Sequence, residues 1–323
     1  MIAADKKELL KSCANWMRRH SIMATAEAGS GHPSTCLSAA DLISAIFFEA
    51  MRYDPQNPKN PDNDRFVLSK GHAAPILYAA WSLAGVIPTK ELLNLRKITS
   101  NLEGHPTPHF SHAEGATGSL GQGLSIATGI ALAGRLDKRD YRVYALLGDG
   151  EIMEGAVWEA AALAAHYKLD HLIAVVDVNR LGQSQQTSLG HDTAAYKKRF
   201  EAFGWTAVTI DGHNFTKILE SLRAAQANQE KPFVIVAKTL KGKGVSFIEN
   251  KDGWHGKPLK KGEELEKALT ELQGEEPPIP VAMRVPVGSG VRGQGSEIKE
   301  KNYSFPLTPH PSPLTPHPYK VGD

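Results

Sequence analysis

Apolar positions recur at helical spacing in three stretches: LLKSCANWMRRHSIMAT (Leu9 to Thr25), SAADLISAIFFEAM (Ser38 to Met51) and HAAPILYAAWSLAG (His72 to Gly85). Each predicts a helix with a buried face. Between the last two, DPQNPKNPDND (Asp54 to Asp64) reads as a proline-punctuated loop. From Tyr141 the pattern changes. YRVYALL (Tyr141 to Leu147) is a short continuous apolar run suited to a buried strand, GDGE turns the chain, and MEGAVWEAAALAAHY (Met153 to Tyr167) makes a small-residue helix. LIAVVDV (Leu172 to Val178) is a second buried strand, and Trp205 to Ile210 and Phe233 to Lys238 add two more around a helix from Asn214 to Asn228. Two apolar strands joined by one helix form a right-handed βαβ unit with parallel strands. The fold class is therefore α/β, a parallel β-sheet with helices on both faces. Ligands in such sheets bind beyond the carboxyl ends of the strands, which singles out Gly148–Glu151, Asn179–Ser184 and Thr239–His255.

The pattern stops near Gln273. Of 20 prolines, half fall between Pro277 and Pro318, and PLTPHPS (Pro306 to Ser312) recurs as PLTPHPY (Pro313 to Tyr319). Such a repeat builds no packed core. Residues 1–273 are expected to form one α/β domain, and residues 274–323 a Pro/Gly-rich linker or tail.

The charge balance, 37 Lys and Arg against 35 Asp and Glu, gives no basic field for nucleic acid and no polybasic run for a membrane. An anionic ligand must be held locally. No apolar run approaches the roughly 20 residues of a membrane span, and the N-terminus has no signal-type core. Cys13 and Cys36 read as buried thiols of a cytoplasmic protein.

The chemistry gathers at the strand ends. Asp149 follows one strand and Asn179 the next, so parallel neighbours would bring both to one sheet edge. An Asp carboxylate, an Asn carbonyl and a backbone carbonyl near Leu181 are hard oxygen donors, suited to Mg²⁺ or Ca²⁺ completed by phosphate oxygens and water. Gly148 and Gly150 would permit a tight turn and let backbone amides approach an anion, with the next helix N-terminus adding its dipole. An isolated GDG is also a common turn with a capping aspartate. The 28 residues between Gly150 and Asn179 span one βαβ unit, which strengthens the functional reading. Gly148, Gly150 and Gly155 lack the dinucleotide-fingerprint spacing, and no P-loop motif is present.

Four of the 13 histidines stand beside glycine or proline in GSGHPS (His32), SKGHAAP (His72), EGHPTP (His105) and DGWHGKP (His255). Any one alone could be a surface or capping residue. Zinc at His105, His109 and His112 is disfavoured, because Pro106 and Pro108 forbid the helix that would align them and no cysteine accompanies them.

Taken together, AEAGSGHPS, DRFVLSKGHAAPILYA, EGHPTP, ATGSLGQGLSIATGIALAG, LLGDGEIMEGAVWEAA, DVNRLGQS and KTLKGKGVSFIENKDGWHGKPL resemble the transketolase family over residues 5–262 and in family order, closest to its animal-like branch. The GDG-to-Asn spacing is shared with other thiamine diphosphate enzymes, namely the E1 component of 2-oxo acid dehydrogenases and deoxyxylulose phosphate synthase. The GSGHP, KGHAAP and WHGKP histidines argue against both. The resemblance implies thiamine diphosphate and Mg²⁺ (or Ca²⁺) as cofactors, with Asp149, Asn179 and the Leu181 carbonyl as metal ligands. It places His72, Gly150, Asn179 and His255 on the cofactor and Gly118 and Leu120 against its thiazolium ring. It makes His32, His72, His105 and His255 catalytic. His32, Lys241 and His255 would meet the substrate, Lys241 at the site mouth, and Glu154 would join a dimer contact network. The implied reaction moves a two-carbon ketol unit from a ketose phosphate to an aldose phosphate. Each step moves a proton on or off a sugar oxygen, work suited to imidazoles titrating near their ordinary pKa of about 6.5.

The resemblance also implies a complementary half, since the family's site lies between two domains and this sequence matches the first. The expected partners are sugar phosphates and a C-terminal transketolase subunit or domain, in a homodimer or heterotetramer, with neither nucleic acid nor membrane. The alternative is a non-catalytic half-protein that binds or modulates a full-length transketolase. Leu37, Ile76, Leu77, Leu120, Leu124 and Ile126 are expected to form an apolar face that a partner covers, with dimers forming through the GDGEIMEG helix.

Overall fold

A computed structural model describes residues 4–286; the PLTPHPS repeats lie outside them. Five parallel strands form one sheet: β1 (Arg65–Leu68), β2 (Val143–Gly148), β3 (Leu172–Val178), β4 (Thr206–Asp211) and β5 (Phe233–Lys238), in the order β1-β2-β3-β5-β4. Eight helices accompany them in the described chain: α1 (Ala4–Ala28), α2 (Pro33–Ala45, extended by a π turn Ile46–Ala50), α3 (Ala74–Leu83), α4 (Gln122–Leu136), α5 (Gly155–His166), α6 (Thr193–Ala202), α7 (Phe215–Ala227) and α8 (Glu263–Glu271).

The two-residue period of the strands sorts their side chains between two cores. Ile173, Val175, Tyr144, Leu146, Phe233 and Ile235 join one with α1, α2, α3 and α7. Leu172, Ala174, Val176, Val143, Ala145 and Leu147 join the other with α4, α5 and α6. Both faces of β2 and β3 are buried, which explains their unbroken apolar runs. Local capping sets the helix starts as the sequence suggests. Pro33 opens α2 at its first turn, the Asn214 side chain accepts from the Lys217 N–H at 3.2 Å to cap α7, and Asp192 caps α6 the same way.

Three expectations are corrected. First, packing continues past Gln273: Val281 and Met283 are buried, the Val281 N–H donates to Leu83 O at 2.7 Å, and the Tyr53 N–H donates to Arg284 O. The proline-rich start of this segment lies against α3 and the strand-bearing loop at Tyr53 instead of leaving the domain. Second, Leu37, Ile76, Leu77 and Leu124 are buried within this chain's own core, because α2, α3 and α4 turn those positions toward the sheet and one another. The large apolar side chains exposed among the described residues include Leu120 (39 %), Met153 (51 %) and Leu163 (46 %). Third, a 3₁₀ turn, Glu151–Met153, separates Gly150 from α5, so the α5 N-terminus does not follow GDG directly. Cys13 and Cys36 are free and buried, as expected. No helix among the described residues is long and apolar enough to cross a membrane.

Candidate active site

The strand register decides which residues meet. Gly148 lies beside Asp177, and Asp177 beside Ala237, so Asp149, Asn179 and Thr239 leave the sheet at one edge. The turn after β1 reaches the same edge, where the Ser69 and Lys70 N–H groups both donate to Leu146 O. Here a cleft of about 350 Å³ opens. Every residue expected to act on cofactor, metal or substrate lines it: His32, His72, His105, Gly118, Leu120, Asp149, Gly150, Asn179, Leu181, Lys241 and His255. Glu154, expected in a dimer network, is exposed at the start of α5 and outside the cleft lining. Its Cβ lies 2.5 Å from where a Cβ on Gly121 would sit, so only glycine fits there, at φ 86°.

The four histidines converge from four separate loops. Ring centroids of His32 stand 5.1 Å from His72, 5.0 Å from His255 and 6.5 Å from His105, and His72 is 5.4 Å from His255. They do not titrate near 6.5. Burial pushes His32 down to about 4 and His255 down to about 3, each with neighbouring cations adding to the effect. His72 lies well below its ordinary value and His105 is lowered, again chiefly by burial. All four rings are therefore neutral at physiological pH, and each can donate from one nitrogen while accepting at the other. His32 Nδ1 is buried without a hydrogen-bond partner, a polar atom aimed at nothing within the described chain.

Lys241 is not at the mouth. It is 3 % exposed, and its ammonium donates to Leu181 O at 2.8 Å, to Gly182 O at 3.1 Å and to His255 Nδ1 at 2.8 Å. Burial lowers its pKa to about 8. Accepting at Nδ1 leaves the proton of the neutral His255 ring on Nε2.

Asp149 is held by three donors. Its Oδ1 accepts from Gly150 N–H at 3.0 Å, and its Oδ2 accepts from Arg180 N–H at 2.7 Å and from the Thr187 hydroxyl at 3.1 Å. Burial, with the Asp177 charge, pushes its pKa up to about 6. Its anionic form is thus lost as pH falls through 6, and any cation binding that needs it fails in the same range. Arg180, between Asn179 and Leu181, takes the left-handed region at φ 66°, a conformation costing roughly 1–3 kcal/mol for a non-glycine residue. The strain is held by Arg180 side-chain bonds to Asn250 Oδ1 and O.

One carboxylate, one amide oxygen and one backbone carbonyl make a hard, incomplete donor set. Among the described residues no group of three or more His, Cys, Asp and Glu could hold a metal ion, so a cation here needs outside oxygens, as a diphosphate would bring. The glycines agree. Gly150 has φ −66°, and a Cβ on it would make only an ordinary 3.6 Å contact with Thr187. The chain turns at Asp149–Gly150 as expected, but neither Gly148 nor Gly150 takes a positive φ, and nothing in the chain demands glycine at Gly150; a ligand approaching the backbone would. Zinc at His105, His109 and His112 is excluded by placement. His109 is exposed against Glu103, and His112 is buried between Trp81 and Phe110.

Sequence reasoning missed the buried groups beneath the cleft. Asp177 is 0 % exposed and accepts from Lys70, Thr239, Ser38 (2.6 Å) and Asn179 (3.3 Å). Glu151, also buried, accepts from the Ser69 hydroxyl at 2.5 Å, Gly121 N–H at 2.9 Å and Gly148 N–H at 3.1 Å. It ties together the loops that carry His72, Leu120 and Asp149. The signal was present: a charged residue inside a fully apolar strand, as in LIAVVDV, requires a buried partner.

Comparison with known proteins gives one consistent result. Residues 9–300 match the family model for the transketolase thiamine diphosphate binding domain. The chain is similar to transketolase of Rattus norvegicus, 48 % identical over 320 residues that make 99 % of this chain and 49 % of that protein. It is also similar to transketolase-like protein 2 of Homo sapiens, 46 % identical over 333 residues, 100 % of this chain and 51 % of that protein. The crystal structure of transketolase from Campylobacter jejuni superimposes with a TM-score of 0.76 at 35 % identity, covering 82 % of this chain and 42 % of that one. Transketolase from Pichia stipitis in complex with sedoheptulose-7-phosphate gives 0.76 at 32 % identity, over 82 % of this chain and 41 % of that one. The chain spans about half the length of the curated relatives it matches.

Proposed function

Because this chain belongs to the family of transketolase thiamine diphosphate-binding domains, we propose that it supplies the diphosphate- and metal-binding half of a ketol-transferring active site. The observation that carries this reading is the convergence of His32, His72, His105 and His255 on the same cleft as Asp149, Asn179 and Leu181. The substrates would be a ketose phosphate and an aldose phosphate, in keeping with the sedoheptulose-7-phosphate held by one related structure.

Asp149, Asn179 and the Leu181 carbonyl would hold Mg²⁺ and through it the diphosphate. Thiamine diphosphate, when bound, supplies the electron sink that lets a carbon–carbon bond beside a carbonyl break and re-form. The chain's own residues orient the sugar and handle protons. Neutral rings of His32, His72 and His105 can hydrogen-bond sugar hydroxyls in either sense. His255 presents its Nε2 proton, fixed there by Lys241, to an oxygen gaining negative charge. The exposed Leu120 and Met153 beside this edge suit contact with a complementary half, equivalent to the remainder of the relatives' length, on the same polypeptide or another.

The test is ketol transfer from a ketose phosphate to an aldose phosphate, with and without a complementary transketolase C-terminal half. This chain alone is expected to give no turnover, and the mixture is expected to give it. A mixture that assembles around bound thiamine diphosphate yet stays inactive would favour the second reading, a non-catalytic half-protein that modulates a full-length relative.

A further inference from the structure

Asn179 sits with its amide between two unlike surroundings. Its Nδ2 lies 3.3 Å from Asp177 Oδ2 and 3.5 Å from Ser38 Oγ. The Ser38 hydroxyl donates to Asp177 Oδ2 at 2.6 Å, so toward Asn179 it offers a lone pair. Asp177 is paired with the Lys70 ammonium and, as a carboxylate, only accepts. Both neighbours of Nδ2 are therefore acceptors. On the opposite side, Asn179 Oδ1 accepts from the Leu181 N–H at 3.2 Å. Turning the amide over would set Oδ1 against two acceptor oxygens and Nδ2 against a donor.

We propose that Asp177, anchored by Lys70, is a positioning residue that fixes the Asn179 amide with its oxygen toward the cleft and one lone pair of that oxygen free for a cation. The inference rests on the reading of Asn179 as a metal ligand. It accounts for an asparagine at this position where a carboxylate would bring more charge to the cation: a second carboxylate beside Asp177 would face the Asp177 and Ser38 acceptors with nothing to donate. The buried ion pair thus acts on the metal through an amide orientation, not through contact with it.

Two measurements on the full chain test this. In protein labelled with ¹⁵N-asparagine, the Asn179 side-chain signal, identified by its loss in Asn179→Ala, should be protected from exchange with water. It should shift and lose that protection in the double variant Lys70→Met with Asp177→Leu, which removes both the acceptor and its anchor. A wild-type Asn179 amide exchanging as freely as a surface asparagine would overturn the proposal. The second measurement is Mn²⁺ binding in the presence of thiamine diphosphate. Asn179→Asp, which leaves the Lys70–Asp177 pair intact, should weaken Mn²⁺ binding by about 10- to 100-fold despite its added charge. Equal or tighter binding by Asn179→Asp would contradict the proposal. A wild-type chain that takes up no Mn²⁺ would instead count against the cofactor-site reading, and the amide signal would still decide the orientation.

Discussion

Lys70→Met is expected to lower the free energy of unfolding by about 3–5 kcal/mol, the usual cost of removing one partner of a buried ion pair. Lys70 and Asp177 have side-chain exposures of 1 % and 0 %. Methionine fills the lysine's volume, so a cavity contributes little. The loss comes from the Asp177 charge, which keeps its hydroxyl and amide donors but loses its ion-pair partner. Replacing both residues, Lys70→Met with Asp177→Leu, removes the charge as well and should recover most of the stability. Chemical denaturation of the three proteins is the check. A Lys70→Met protein within 1 kcal/mol of wild type would show that the pair is not what holds the sheet edge together.

His255→Ala, assayed after assembly with the complementary half, is expected to reduce turnover by about 10²- to 10⁴-fold, the range of a general acid–base contribution. The ring is neutral because burial and the adjacent Lys241 ammonium oppose a second proton, its pKa lying at about 3. Its Nε2 hydrogen bond strengthens most toward a group that gains negative charge during the reaction. The loss should therefore fall on kcat, with KM for the ketose phosphate changing less. Circular dichroism should show an intact fold. Turnover near wild type, or a loss confined to KM, would return His255 to the role of a packing residue.

The elements with strong periodicity were legible in advance. LIAVVDV and FVIVAK are strands at the expected residues, and Asn214 and Asn228 bracket α7 as the sequence indicates. β1 escaped because four residues, RFVL, give too short a run to separate from the loop before them. α4 escaped for a different reason: QGLSIATGIALAGRL starts at a left-handed glycine with no side-chain cap, so no start signal marks it. In the site, Asp149 and Asn179 were readable from strand ends alone, because parallel register places them. The histidines were not placed by any local rule. The sheet order brings the ends of β1 and β5, and with them the His72 and His255 loops, to one edge, while His32 opens α2 and His105 comes from the loop before α4. Their low pKa values could not be read either, since burial and the nearness of Lys241 and Lys70 are properties of the folded chain. Asp177 and Glu151 lie inside the DVNRLGQS and LLGDGEIMEGAVWEAA segments, yet nothing local gives either a role. Only their burial reveals that they organise the loops above them.

Calorimetric titration of thiamine diphosphate into the chain decides whether this strand edge holds the cofactor through a divalent cation. With Mg²⁺ present, saturable binding is expected that disappears on chelation and in Asp149→Ala. Binding should also weaken progressively as pH falls through about 6, where Asp149 becomes protonated. Affinity indifferent to Mg²⁺ and unchanged by Asp149→Ala would contradict that mode of binding.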